Sequence, residues 1–174
     1  MSYSDLDARG RCATHQFMKH FIITLAVILL STCALSSEAD SKAIADLIVK
    51  WDVALNTNNV DGLLDLVTED HERSGPGQPD AQGKEAFAKF CAPYMKGYRF
   101  EQSRHVIEHT EFAKNWAFVR GSWSGNIIPA SGGAPSVTSA KWMVVAQRQA
   151  DGTFKVEKGH TFDVVPALSA DLQK

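Results

Sequence analysis

Trp116 to Ile128 reads WAFVRGSWSGNII. Aromatic and β-branched residues crowd this stretch, and Gly121 and Gly125 interrupt it, the composition of a strand that bends. The same chemistry continues on both sides. Tyr98 to Phe112, Val137 to Gln149 and Phe154 to Val165 are further strand-like runs. Turn residues divide them: Ala113-Lys114-Asn115, a Gly/Ser loop from Pro129 to Pro135, and Asp151-Gly152. Four consecutive strands with short links predict an antiparallel meander. Strands of this length twist, and Gly121, Gly125 and Gly159 stand where a strongly curved sheet relieves strain.

Upstream the period changes. Ile44, Leu47, Ile48, Trp51 and Leu55 recur at spacings of three and four, one apolar helical stripe. Asp40 or Ser41 is placed to cap its start, and the Asn-rich run 56–59 ends it. Asp61 introduces a short second helix through Leu63, Leu64 and Val67. After the loop Ser74-Gly75-Pro76-Gly77-Gln78-Pro79, a third helix runs from Gly83 to Tyr94, with Phe87, Phe90, Cys91 and Tyr94 on one face. Pro93 and Gly97 are its expected stop. Helices first and strands after make an α+β fold with the helices on one sheet face.

The N-terminus is read separately. Phe21 to Leu30, FIITLAVILL, follows Met18-Lys19-His20 and precedes the small polar run STCALSSEAD, the order of a secretory signal. Ten apolar residues are too few to cross a bilayer comfortably. Export to a periplasmic or secreted location is therefore expected, with Met1 or Met18 as the start and cleavage after Ser36 or Ala39. Leu30-Ser31-Thr32-Cys33 also resembles a lipobox, which would put a lipid on Cys33. The expected division is an extension over 1–39, a domain over 40–166 and a tail over 167–174. Three cysteines, at 12, 33 and 91, show no metal or redox spacing, and Cys91 reads as a small buried hydrophobe.

The 174 residues carry a net charge of −2 with no basic block, which argues against a nucleic-acid footprint. Apolar content of 44% and charged content of 22% are those of a globular protein.

Several motifs together carry a family resemblance. They are Trp51-Asp52-Val53-Ala54-Leu55-Asn56 followed by Val60-Asp61-Gly62-Leu63-Leu64, the helix start Gly83-Lys84-Glu85-Ala86-Phe87, Trp116 to Gly121, and Gln149 to Val156. In this order the chain resembles the SnoaL-like and ketosteroid-isomerase-like branch of the nuclear transport factor 2-like superfamily, over about Ile44 to Val165. The resemblance implies three helices on a strongly curved antiparallel sheet, a cone-shaped, cystatin-like half-barrel with one pocket, commonly as a homodimer. It implies no single reaction, because such folds host isomerases, cyclases, dehydratases, binders and assembly modules.

Ketosteroid isomerase chemistry uses a carboxylate base and an oxyanion hole of a Tyr and a protonated Asp. At the matching positions this chain has Gly75, Trp51, and Lys141 or Trp142, so the required groups are missing. His105-Val106-Ile107-Glu108-His109 spells an inverted zinc-protease motif, but in a strand its two histidines stand about 13 Å apart. No metal and no cofactor are expected. His71, His105 and His160 are acid/base candidates, set against the more usual reading of strand-edge or partly exposed histidines. His160 is the first choice, because the last strand lines the pocket in such folds. Asp52 either orients a ligand or is a solvated helix carboxylate. Trp51, Trp123 and Trp142 suit a pocket wall or a core. The preferred expectation is an exported pocket protein that binds a small apolar or aromatic molecule through Trp51, Asp52, Trp123, Trp142 and His160. The alternatives are a cofactor-free SnoaL-like enzyme, an isomerase, cyclase or dehydratase working by proton transfer, and a dimerisation or assembly module.

Overall fold

The stripe from Ile44 to Leu55 lies on one helix, α1, over 38–56 in a computed structural model that describes residues 38–76 and 78–163. The chain divides into two compact units, Met1–Asp40 and Ser41–Lys174, and the sheet with its covering helices belongs to the second. The apolar run 21–30, Cys12, Cys33 and the tail from residue 164 lie outside the described residues. Because α1 is already helical at residue 38, Asp40 and Ser41 lie within it and do not start it. Its end is as expected from the asparagines. Asn58 takes a left-handed φ of 49°, a conformation Asn tolerates, and the Asn59 backbone N–H donates to Ala54 O at 2.8 Å.

Asn59 also opens the next helix. Its side-chain oxygen accepts from Gly62 N at 2.9 Å, capping α2, Val60–Asp65. The structure corrects the expected extent of this helix, since Val67 begins strand β1, Val67–Ser74. That strand is hard to see in the sequence because Glu69, Asp70, Glu72 and Arg73 mask the pattern. Only Val67, Thr68 and His71 turn fully inward. Two residues, Ala81–Gln82, form β2, and α3 follows over Lys84–Gly97. Pro93 sits inside α3 rather than ending it. A mid-helix proline forfeits one backbone bond. The last turn persists because it buries Met95 and packs Tyr94 on the core.

The meander follows as β3 (Tyr98–Phe112), β4 (Trp116–Pro129), β5 (Ser136–Arg148) and β6 (Phe154–Asp163). The sheet has six strands in the order β2-β1-β6-β5-β4-β3 and is not closed. It is mixed, not wholly antiparallel, because β1 runs parallel to β6. The chain leaves β1, crosses through α3, and completes the meander before β6 returns beside β1. Three irregularities bend the meander, between Glu101 and Arg104, Ile107 and His109, and Val145 and Ala146. At the second, Gly121 is obligatory: a Cβ there would stand 1.9 Å from Val106 O and 2.8 Å from the Trp142 ring. Ile44, Leu47, Leu63, Phe87, Val119, Phe154 and Val156 fill the space between helices and sheet. Each such side chain contributes about 1.5–3 kcal/mol by burial.

Candidate functional site

Three polar residues of the α1 end fasten the helix to β3. Asn56 clamps the Ser103 backbone, accepting from its N–H at 2.8 Å and donating to its carbonyl at 2.9 Å. Asn58 donates to Met95 O and Tyr98 O at 2.7 and 2.8 Å. One turn earlier, Asp52 takes both of its bonds from His105. The His105 backbone N–H donates to Oδ2 at 2.9 Å and the ring Nδ1–H to Oδ1 at 2.5 Å. The clamp sits at the β3 irregularity, where Gln102 has a φ of 55°, so the bulge sets the depth at which His105 meets the helix.

The pair is well sheltered, with side chains 13% exposed for His105 and 17% for Asp52. A carboxylate can only accept, so Nδ1 carries the ring proton and the neutral ring has its lone pair on Nε2. Among the described residues Nε2 has no hydrogen-bond partner, and His105 borders a cavity. Trp142 meets its ring edge-on at 5.4 Å and Trp123 lies at 6.3 Å.

The cavity has two lobes. The larger, about 300 Å³, is walled by Trp51, Phe90, Tyr94, Phe100, Trp123 and Ile127 among others. The smaller, about 80 Å³, lies toward β1 and β6 and includes His71, Val156 and Gly159. Trp51, Arg73, His105, Trp142 and Thr161 border both. Arg73 lies over the Phe90 ring at 4.1 Å and donates through Nη2 to Gln78 Oε1 at 2.5 Å. Burial lowers its affinity for the proton, though a guanidinium keeps its charge in a protein.

Burial also tunes His71, Tyr94 and Cys91. It lowers the pKa of His71, whose Nδ1–H donates to Val156 O at 3.1 Å. It raises the phenol of Tyr94 and pushes the Cys91 thiol up to about 12, so Cys91 is an inert core thiol, as its lone position suggested.

The structure thus brings Trp51, Trp123, Trp142 and His105 to one cavity, with Asp52 behind the imidazole. Asp52 is a sheltered hydrogen-bond acceptor, not a solvated helix carboxylate. His160 borders the smaller lobe, with Nδ1 2.6 Å from Ser74 Oγ and its ring tilted against Phe162 at 4.2 Å. The H-x-x-E-H motif lies in β3, and its histidines go to different partners: His105 bonds Asp52 and His109 bonds Glu111 at 2.8 Å. Sequence reasoning missed Arg73 and the Asp52–His105 pairing. The only advance signals were the place of Asp52 in the family-like helix motif and of His105 in the H-x-x-E-H spacing.

The architecture is that of the nuclear transport factor 2-like, ketosteroid-isomerase-like proteins. The SnoaL-like domain family matches residues 48–156, and the chain belongs to that family. No curated protein matches. Among solved structures, a ketosteroid isomerase-like protein from Erwinia carotovora atroseptica shares 21% identity over 72% of this chain and 96% of its own, with a TM-score of 0.65. A candidate scytalone dehydratase from Novosphingobium aromaticivorans shares 17% over 76% of this chain and 89% of its own, at 0.67. A nuclear transport factor 2-like superfamily protein from Salmonella enterica shares 12% over 78% and 97%, at 0.64. At these identities the likeness is one of fold.

Proposed function

We propose that this protein is an enzyme that moves a proton on a small aromatic or alicyclic substrate, with His105 as the acid/base group and Asp52 as its orienting partner. The Asp52–His105 hydrogen bond at the wall of an apolar cavity is the observation that carries the reading. Asp52 fixes Nδ1 as the protonated nitrogen, so Nε2 is the base presented to a bound molecule. When Nε2 takes a proton, the carboxylate stabilises the imidazolium that forms. The same ring can return the proton to another substrate atom, which suits isomerisation, or to a departing hydroxyl, which suits dehydration. Two fold neighbours are described as dehydratases, which supports including that class. Positioned acid/base groups of this kind contribute roughly 10²–10⁴-fold.

The test is a panel of cyclic ketones and β-hydroxy ketones incubated with protein in D₂O. Mass spectrometry should detect deuterium uptake or loss of water with the wild type and not with His105→Ala. No turnover of any compound, or equal turnover by the variant, would defeat the proposal. A binding protein without turnover is the second reading, favoured by the aromatic lining of Trp51, Phe90, Trp123 and Trp142. Export belongs to either reading, supported by the apolar run 21–30 and the small residues after it. Homodimerisation is proposed on the family likeness alone.

A further inference from the structure

Burial leaves four described side-chain polar atoms without a hydrogen-bond partner: Thr68 Oγ1, His71 Nε2, Arg73 Nη1 and Trp142 Nε1. Three of these residues, His71, Arg73 and Trp142, border the smaller lobe. Buried polar groups in folded proteins are almost always paired. His71 Nε2, with the ring proton on Nδ1, is an acceptor, so the two orphan donors at this small cavity are Arg73 Nη1 and Trp142 Nε1. Arg73 and Trp142 can only donate. Among the described residues no Asp or Glu borders either lobe, and Arg73 has no ion-pair partner within 4 Å. Asp80 acts on the guanidinium only through space, and Asp52 is engaged by His105.

A guanidinium nitrogen buried without a partner, on a charge with no counter-charge in contact, is costly, and the neutral acceptor on Nη2 does not balance it. We infer that the smaller lobe is the seat of an anionic group on the ligand, a carboxylate held by Arg73 Nη1 with the Trp142 indole N–H beside it. Arg73 is preset for this, because Gln78 and the Phe90 ring already fix the guanidinium plane. Charge-assisted bonds from a fixed guanidinium are about twice as strong as neutral ones. The larger lobe takes the rest of the molecule. A cavity of about 150 Å³ holds benzene, so about 300 Å³ admits two fused rings. The ligand class is an aromatic or alicyclic carboxylate of bicyclic size or smaller. This assignment rests on the proton-transfer reading for its use, since it places the ring system under His105, but not for its test.

Isothermal titration calorimetry of the full chain with 2-naphthoate and with its neutral isostere 2-naphthamide reads the preference directly. The wild type should bind the carboxylate at least tenfold tighter than the amide. Arg73→Met should erase the difference while keeping amide binding, and Arg73→Gln replaces it if circular dichroism shows the Met variant unfolded. His105→Ala should keep the preference, so loss of turnover and loss of carboxylate selectivity fail separately. Equal affinity for the two compounds, no heat from either at millimolar concentration, or a preference surviving in the Arg73 variant would each overturn the inference.

Discussion

Replacing Asp52 by Asn changes one atom and reverses the logic of the pair. In the wild type both carboxylate oxygens accept, Oδ2 from the His105 backbone at 2.9 Å and Oδ1 from ring Nδ1–H at 2.5 Å. An Asn side chain offers one acceptor and one amide donor. If its oxygen keeps the backbone bond, its NH₂ faces Nδ1 and requires a lone pair there. The ring proton then moves to Nε2, and the nitrogen presented to the cavity becomes a donor. A hydrogen bond to a charged group is worth about 1.5–3 kcal/mol. At tenfold per about 1.4 kcal/mol, the lost support of the imidazolium alone slows proton transfer roughly 10- to 150-fold. The tautomer change adds to that. Long-range ¹H–¹⁵N correlation at a pH where the ring is neutral assigns the tautomer without any substrate. The expected result is Nδ1–H in the wild type and Nε2–H in Asp52→Asn. An unchanged tautomer, or full turnover by the variant, would refute the reasoning.

Gly121→Ala should destabilise the fold by about 1–3 kcal/mol or more in urea unfolding, because the new methyl meets backbone at Val106 O rather than a flexible side chain. An unshifted midpoint would show that the sheet does not need this close approach. His71 is buried with its pKa lowered by desolvation, so the unfolded chain takes up a proton first as pH falls below the ordinary value of about 6.5. Stability should accordingly drop between that value and the lower folded-state value, and urea midpoints at pH 7.5 and 5.5 should differ less in His71→Gln. Cys91 should resist Ellman's reagent in the native protein and react at once in denaturant, as a thiol near 12 with 3% exposure requires; prompt native labelling would contradict its burial.

The elements legible in the sequence are those whose period is set by burial on one face. The stripe Ile44, Leu47, Ile48 is buried, and β3 begins and ends where turn chemistry placed it, at Tyr98 and Phe112. β1 was illegible for the opposite reason. Its outward residues face water and its inward ones are few, so its extended state is imposed by the parallel pairing of Arg73 with Gly159 and Ser74 with His160. A strand held by partners 86 residues away leaves little local pattern.

The site follows the same division. Indoles at 51, 123 and 142 read as wall residues because large aromatics on an inward face have nowhere else to go, and they do border the cavity. Chemistry at the site depends on contacts that no period encodes. Asp52 finds His105 across 53 residues, through an irregularity at Glu101–Arg104 that alternation alone does not anticipate. Shift β3 by one residue at that bulge and alternation sends the ring at 105 to the other face. The Asn56 clamp on the Ser103 backbone holds the register against such a slip. His160 is the first choice from the sequence because the last strand lines the pocket in the folds the chain resembles. The proposed function turns on His105 instead, because a bulge and a backbone clamp place its imidazole against a carboxylate, and a lone pair on Nε2 follows from that placement.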